Sequence, residues 1–146
     1  MATIDEIKEL WAEDSRIKES ELARESLRTP HLHSKYLDML INAKMKVSAY
    51  QHDLARMQQF KTRYYKGELT KEELVEYDLP QWQYNKPLKS EIESILNADA
   101  DCIKIRQKID YMTIMQYQLE NIMQAIKGRP WDIRNSIEFL KYQSGL

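Results

Sequence analysis

The stretch QQFKTRYYKGE, residues 58–68, sets Tyr64 and Tyr65 among Lys61, Arg63 and Lys66, immediately before Gly67. Cations beside aromatic rings suit an unpaired polynucleotide. Ammonium and guanidinium groups meet phosphates, while a base stacked on a ring contributes roughly 1–3 kcal/mol and needs no sequence readout. The same residues also have a plainer use. The helix dipole favours Lys and Arg at any helix C-terminus, and Tyr64 can close a hydrophobic seam while Tyr65 lies half in water. Spacing alone leaves both uses open.

Other chemistry has little to work with. His31 and His33 are two residues apart and diverge on a helix, His52 lies well along the chain, and no cysteine or acidic pair joins them, so zinc is not expected. Asp99 and Asp101, with Glu91 and Glu93, offer oxygens to a divalent ion, yet helix caps and first-turn acids account for them. Cys102 has no His or Lys in a motif context and reads as a buried structural sulfur. Neither a nucleophile with its base nor a phosphate loop occurs. The expectation is a protein that is not an enzyme, without catalytic residue, metal or cofactor.

The elements that must position these side chains are helices. Only three Gly and four Pro interrupt 146 residues that are 42% hydrophobic and 31% charged, a balance that favours long helices over a turn-rich sheet or a disordered tail. The length suits a single helical domain, residues 1–146. One cysteine cannot form an internal disulfide and no charged, apolar leader opens the sequence, so a cytoplasmic setting is expected. No apolar run approaches the roughly 20 residues of a membrane helix, so no membrane partner is expected either. The net charge of −1 conceals alternating blocks. Residues 1–28 carry five cations and eight anions, 29–66 seven and two, 67–102 three and nine, and 103–146 seven and four. Such segregation fits a polyanionic partner for the basic blocks, or acidic and basic helices packing on one another.

Thr3 with Glu6 forms a capping box that predicts a first helix ending near Arg16, and Ser20 can cap a second short piece through Leu27. Thr29 and Pro30 then supply an N-cap and first-turn proline for a helix running to about Tyr65, where Gly67 stops it. Within it Tyr36, Leu40, Ala43, Val47, Tyr50, Leu54, Met57, Lys61 and Tyr64 alternate in steps of four and three, a coiled-coil seam. Lys35, Arg56 and Arg63 share a position outside that seam, Lys44 and Lys46 flank it, and Lys61 in the seam disfavours burial there. Thr70 with Glu73 and Ser90 with Glu93 are further capping boxes, and the aromatic connection between them allows a short extended segment around 80–86. Asp99 caps a last long helix, Ala100 to Lys127, stopped by Gly128 and Pro130. Its own seam runs through Ile105, Ile109, Met112, Gln116, Leu119, Met123 and Ile126, and a terminal piece presents Trp131, Ile133, Ile137 and Leu140.

Several segments, in order, resemble the UvsY recombination mediators of T-even-like bacteriophages. HSKYLDML (33–40) is similar to that family's Ser-Lys-aromatic-Leu at the head of a long basic helix, and RYYKG (63–67) to its Tyr-Tyr-x-Gly with cations upstream. ILNADADCIK (95–104) resembles its Leu-Ser-Ala-Asp-x-Asp run, and QAIKGRPWDIR (124–134) its Ala-Ile-Lys-x-Arg segment; together the likeness spans roughly residues 30–145. The resemblance implies a non-enzymatic protein that binds single-stranded DNA, assembles as a homo-oligomer, a heptamer, through its C-terminal region, and loads a RecA-like recombinase against a single-strand binding protein in the cytoplasm of the host cell. The family's basic DNA-binding pair carries over to Lys61 with either Arg63 or Arg56.

The combined expectation is an all-α chain with two long heptad-bearing helices plus short ones, assembling into a ring-like oligomer. Its parts would be acidic N-terminal helices (1–28), a long basic helix (29–66), an acidic connection (67–98) and C-terminal assembly helices (99–146). Lys44, Lys46, Arg56, Lys61, Arg63, Tyr64, Tyr65 and Lys66 would face outward to grip single-stranded DNA. Ile105, Ile109, Met112, Leu119, Ile122, Ile126, Trp131 and Ile137 would join subunits. The rival is a coiled-coil adaptor whose basic blocks pair with acidic neighbours such as residues 67–78 and which binds no nucleic acid. A duplex binder is weaker still, for lack of a recognition-helix motif.

Overall fold

The computed structural model describes residues 1–82 and 86–145, and every regular element among them is helical. Helix α1 (Ile4–Asp14) opens on the expected capping box: the Thr3 hydroxyl accepts the Glu6 N–H at 3.1 Å and the Glu6 carboxylate accepts the Thr3 N–H at 3.0 Å. A 3₁₀ turn at Glu19–Glu21 leads into α2 (Leu22–Tyr65), followed by α3 (Lys71–Glu76), α4 (Lys89–Ala98) and α5 (Ala100–Gln143).

Two expected breaks are absent. Pro30 does not open a helix but lies inside α2, and Gly128 and Pro130 do not stop α5, which continues to Gln143. A proline inside a helix removes one backbone hydrogen bond and costs about 3 kcal/mol, so packing must outweigh it. Around Pro30 the Arg129 guanidinium supplies that packing. It donates to the Glu25 carbonyl (3.1 Å), the Glu25 carboxylate (2.7 Å) and the Thr29 hydroxyl (3.0 Å). Around Pro130, Ile126 and Ile133 are both buried, one on each side.

The contacts divide the chain into two compact units, one of residues 1–45 and 112–146, the other of residues 46–111. In the first, α2 and α5 run antiparallel, with Glu25 on Arg129 and Lys44 within 4.0 Å of Glu120. Leu32, Tyr36, Leu40 and Ala43 of α2 and Met112, Leu119, Ile122 and Ile126 of α5 are all buried there. Helix α1 adds Ile7 and sets Trp11 edge-on to Tyr36 at 5.3 Å. Asp14, at its end, accepts the Tyr36 hydroxyl (2.8 Å), Lys35 (2.6 Å) and Arg28 (2.9 Å). Burial alone would raise the Asp14 carboxyl, but these partners outweigh it and hold it below the ordinary range.

In the second unit Gly67 ends α2 with φ +71°, as expected. The Glu68 N–H reaches the Arg63 carbonyl (2.9 Å) and the Gly67 N–H the Tyr64 carbonyl (3.0 Å), the two bonds of a Schellman motif. Asp78, φ +51°, repeats the pattern after α3 through Leu79 N–H to the Leu74 carbonyl at 2.9 Å. The Thr70–Glu73 box opens α3 as expected. The Ser90–Glu93 box does not form: α4 starts one residue before Ser90, at Lys89, and its cap is half a box, the Glu91 carboxylate accepting the Leu88 N–H at 3.0 Å. Arg106 closes the other end of α4, donating to the Leu96 and Asn97 carbonyls at 3.2 Å each. Of the extended segment expected at 80–86, the described residues carry neither helix nor strand, and Gln83, Tyr84 and Asn85 lie outside them.

Arg129 and Glu25 are 3% and 6% exposed at their side chains, so removing Arg129 leaves the buried Glu25 carboxylate only the looser Arg28, 3.7 Å away, and removing Glu25 leaves the Arg129 guanidinium buried without its carboxylate. Arg129→Met is expected to lower unfolding stability by about 3–5 kcal/mol, and Glu25→Leu added to it to restore most of the loss. Urea denaturation followed by circular dichroism measures both; a single mutant as stable as the parent would refute the assignment.

Candidate nucleic-acid interface

The last turns of α2 place Lys61 inward. Its Nζ lies 2.7 Å from Asp101 Oδ2 and 3.3 Å from Asp99 Oδ1, and the residue is 8% exposed. Asp99 is the N-cap of α5, and its other oxygen accepts the Cys102 N–H at 3.0 Å. The Tyr65 hydroxyl donates to Asp99 Oδ1 at 2.8 Å. A buried carboxylate at a helix start thus collects a backbone donor, a phenol and an ammonium. Burial raises the Asp99 carboxyl, but those three donors prevail and hold it below its ordinary value of 3.8. Burial would lower the Lys61 ammonium, yet Asp101 and Asp99 raise it above its ordinary 10.5. The Tyr65 phenol is pushed up to about 12 by burial and by Asp99, and the buried Cys102 thiol is raised by the same two causes.

The outward-facing cation expected at Lys61 is therefore corrected. Acids favoured by the dipole at the start of α5 need a counter-charge when buried, and the seam position brings Lys61 to them. Arg63 is also engaged, 2.9 Å from the Glu73 carboxylate that closes the α3 capping box; hydrogen bonds from Arg63 and from the Thr70 backbone hold the Glu73 carboxyl low. Tyr64 is buried, its hydroxyl donating to the Pro80 carbonyl at 2.8 Å. Tyr64, Tyr65 and Trp82 form one ring cluster, with centroids 4.8–5.9 Å apart. The two tyrosines are structural parts of this unit rather than free stacking platforms.

Other expected contacts do face water. Lys46 and Arg56 are exposed and Lys66 half-buried, and none of the three has a carboxylate within 4.0 Å among the described residues. Lys44 is exposed and sits at the limit of pairing with Glu120. Lys46 Nζ lies 5.9 Å from the Tyr50 ring centroid and Lys108 Nζ, from α5, 5.7 Å from the same ring. Beside them α2, α5 and the end of α3 enclose a groove of about 470 Å³ with Arg56 and Lys108 on its wall. Tyr50 and Lys108 were missed in this role. Lys46, Asp53 and Phe60 do join the seam residues Tyr50 and Met57 in a four-and-three stripe that overlaps the seam, but only the docking of α5 brings in Lys108.

The expected assembly residues also divide. Met112, Leu119, Ile122 and Ile126 are buried in the core of the first unit, because the α5 seam meets the α2 seam of its own chain; Ile105 and Ile109 are half-buried. Trp131 and Ile137 are exposed, with Phe139, Leu140 and Tyr142 beyond them, while Ile133 is buried. His31, His33 and His52 are exposed, and no group of three or more His, Cys, Asp or Glu among the described residues is placed to hold a metal ion. No helix among those residues is long and apolar enough to cross a membrane.

A helical chain that sets exposed cations beside aromatic rings along one groove has the surface of a protein that binds an anionic, ring-bearing ligand. Residues 10–146 match the family described as "Recombination, repair and ssDNA binding protein UvsY", and the chain belongs to that family. Crystal structures of the bacteriophage T4 recombination mediator protein UvsY share the fold. Lattice type II superposes with a TM-score of 0.81 at 21% identity over 99% of both chains. Type IV does so at 0.81 and 18% over 97% of this chain and 99% of the other, and type I at 0.78 and 22% over 93% and 97%. No curated protein matches the sequence.

The depressed Asp99 stabilises the fold above its ordinary 3.8, and this contribution is lost as pH falls through the lower folded value; raised Lys61 contributes below 10.5 and is lost as pH climbs through its folded value. Lys61→Met is expected to destabilise by about 3 kcal/mol at neutral pH, and its deficit relative to the parent should shrink towards both extremes. Equilibrium denaturation across pH tests this; a pH-independent difference would contradict it.

Proposed function

We propose that this chain binds single-stranded DNA through outward cations of α2 and the adjoining turns of α5, and that several copies together help a RecA-like recombinase replace a single-strand binding protein. Membership of a family described as recombination, repair and ssDNA-binding proteins is the observation that carries this reading. Exposed Lys46, Arg56 and Lys108, free of carboxylates within 4.0 Å among the described residues, supply the phosphate contacts. Three or four contacts per copy bind weakly. Several copies on one strand raise avidity by a factor on the order of 10² to 10⁴ without any new contact. The apolar end of α5, with Trp131, Ile137 and Leu140 exposed, is the surface we assign to self-assembly, and seven copies is the number the family resemblance implies. The setting is the cytoplasm of an infected host cell, and no catalytic step is assigned to the chain.

One observation favours a second reading. Lys61 and Arg63 pair with acids of their own chain, as a coiled-coil adaptor without DNA binding would have them do. Salt separates the two. Affinity for oligo(dT) is expected to fall steeply with ionic strength, with a log–log slope reduced by about one for each of Lys46→Ala and Arg56→Ala. Fluorescence anisotropy between low and moderate salt reads this; oligomers that ignore oligo(dT) would establish the adaptor.

A further inference from the structure

We propose that the groove beside Tyr50 holds an unstacked base of the bound strand, so that each protomer grips a nucleobase as well as phosphates. The inference rests on the single-strand reading above and goes beyond it by naming the part of the ligand that the groove receives. Three rings carry it. Tyr50 and Phe60 stand on the α2 stripe, and Tyr77, the C-cap residue of α3, meets Phe60 edge-on at 4.7 Å. Tyr77 is 53% exposed, so one large aromatic surface lies in water beside its partner. Met57 and Ile105 add an apolar lining.

Charge decides what covers this surface. Arg56 and Lys108 line the groove and Lys46 lies against Tyr50, three cations without ion pairs among the described residues, against the one carboxylate of Asp53. An apolar peptide face would leave those cations desolvated and uncompensated. A single strand matches both halves, since every base has a π-face for the rings and every nucleotide brings a phosphate to the cations. Paired bases keep their faces stacked, so a duplex cannot offer one.

The test compares fluorescent oligo(dT) with an abasic tetrahydrofuran backbone of the same length and charge, using the full chain at fixed salt. Oligo(dT) is expected to bind about fivefold more tightly or better, given the usual worth of one stacked base. Tyr77→Ala and Phe60→Leu should each reduce that ratio while leaving affinity for the abasic strand unchanged. Tyr77 is exposed, so its variant should fold. Equal affinity for the two strands in the parent overturns the base site while leaving single-strand binding intact. A ratio that survives both substitutions also overturns it, as does a variant that changes only the light-scattering mass, which would mean a second copy covers the groove. Failure to bind either strand overturns the function proposed above and this inference with it.

Discussion

The carboxylate of Asp99 organises one half of the molecule. It caps α5, accepts the Tyr65 phenol and faces the Lys61 ammonium, so the end of α2 and the start of α5 are tied at a single buried point. Each bond compensates a group that would otherwise be stranded out of water, and removing any one exposes the others to the desolvation penalty. The neighbouring turn conforms to the same constraint. Just beyond Tyr65 and Lys61, both held inward, α2 stops, and Gly67 provides the left-handed residue that lets the chain turn away.

That tie sorts the cations of α2 into two populations. Lys61 and Arg63, next to the acidic segment, neutralise carboxylates and hold the fold. Lys46 and Arg56, one or more turns back, are exposed and have no carboxylate within 4.0 Å among the described residues, Lys46 lying over the Tyr50 ring. The block charges of +5 and −6 read from the sequence are thus neither wholly internal nor wholly available. Part of the basic block is consumed by the fold, and of the remainder Lys44, Lys46 and Arg56 are exposed.

Much of the local architecture was legible because its causes are local. Thr3 with Glu6, Thr70 with Glu73, and Asp99 before Ala100 each satisfy backbone donors within three residues, and no distant contact is needed to see them. Gly67 was legible for the same reason. Pro30 and Pro130 misled because the penalty of an internal proline is also local, whereas Arg129, Ile126 and Ile133, which outweigh it, act through the core. Ser90 misled because capping competes over one residue of register, and the half box at Leu88 and Glu91 prevailed.

The amino-acid order by itself determined the helical class, the two heptad seams, most caps, and the family likeness that the matched residues 10–146 bear out. Which face each seam presents, and to what, was decided only when α2 and α5 packed together. Periodicity defines a stripe but not its partner: the α5 seam closed on its own chain, Lys61 found Asp99 and Asp101, and Lys108 came to lie over Tyr50. Desolvation is the reason, since the charge state and the availability of a side chain depend on neighbours far away in sequence that burial brings within a few ångströms.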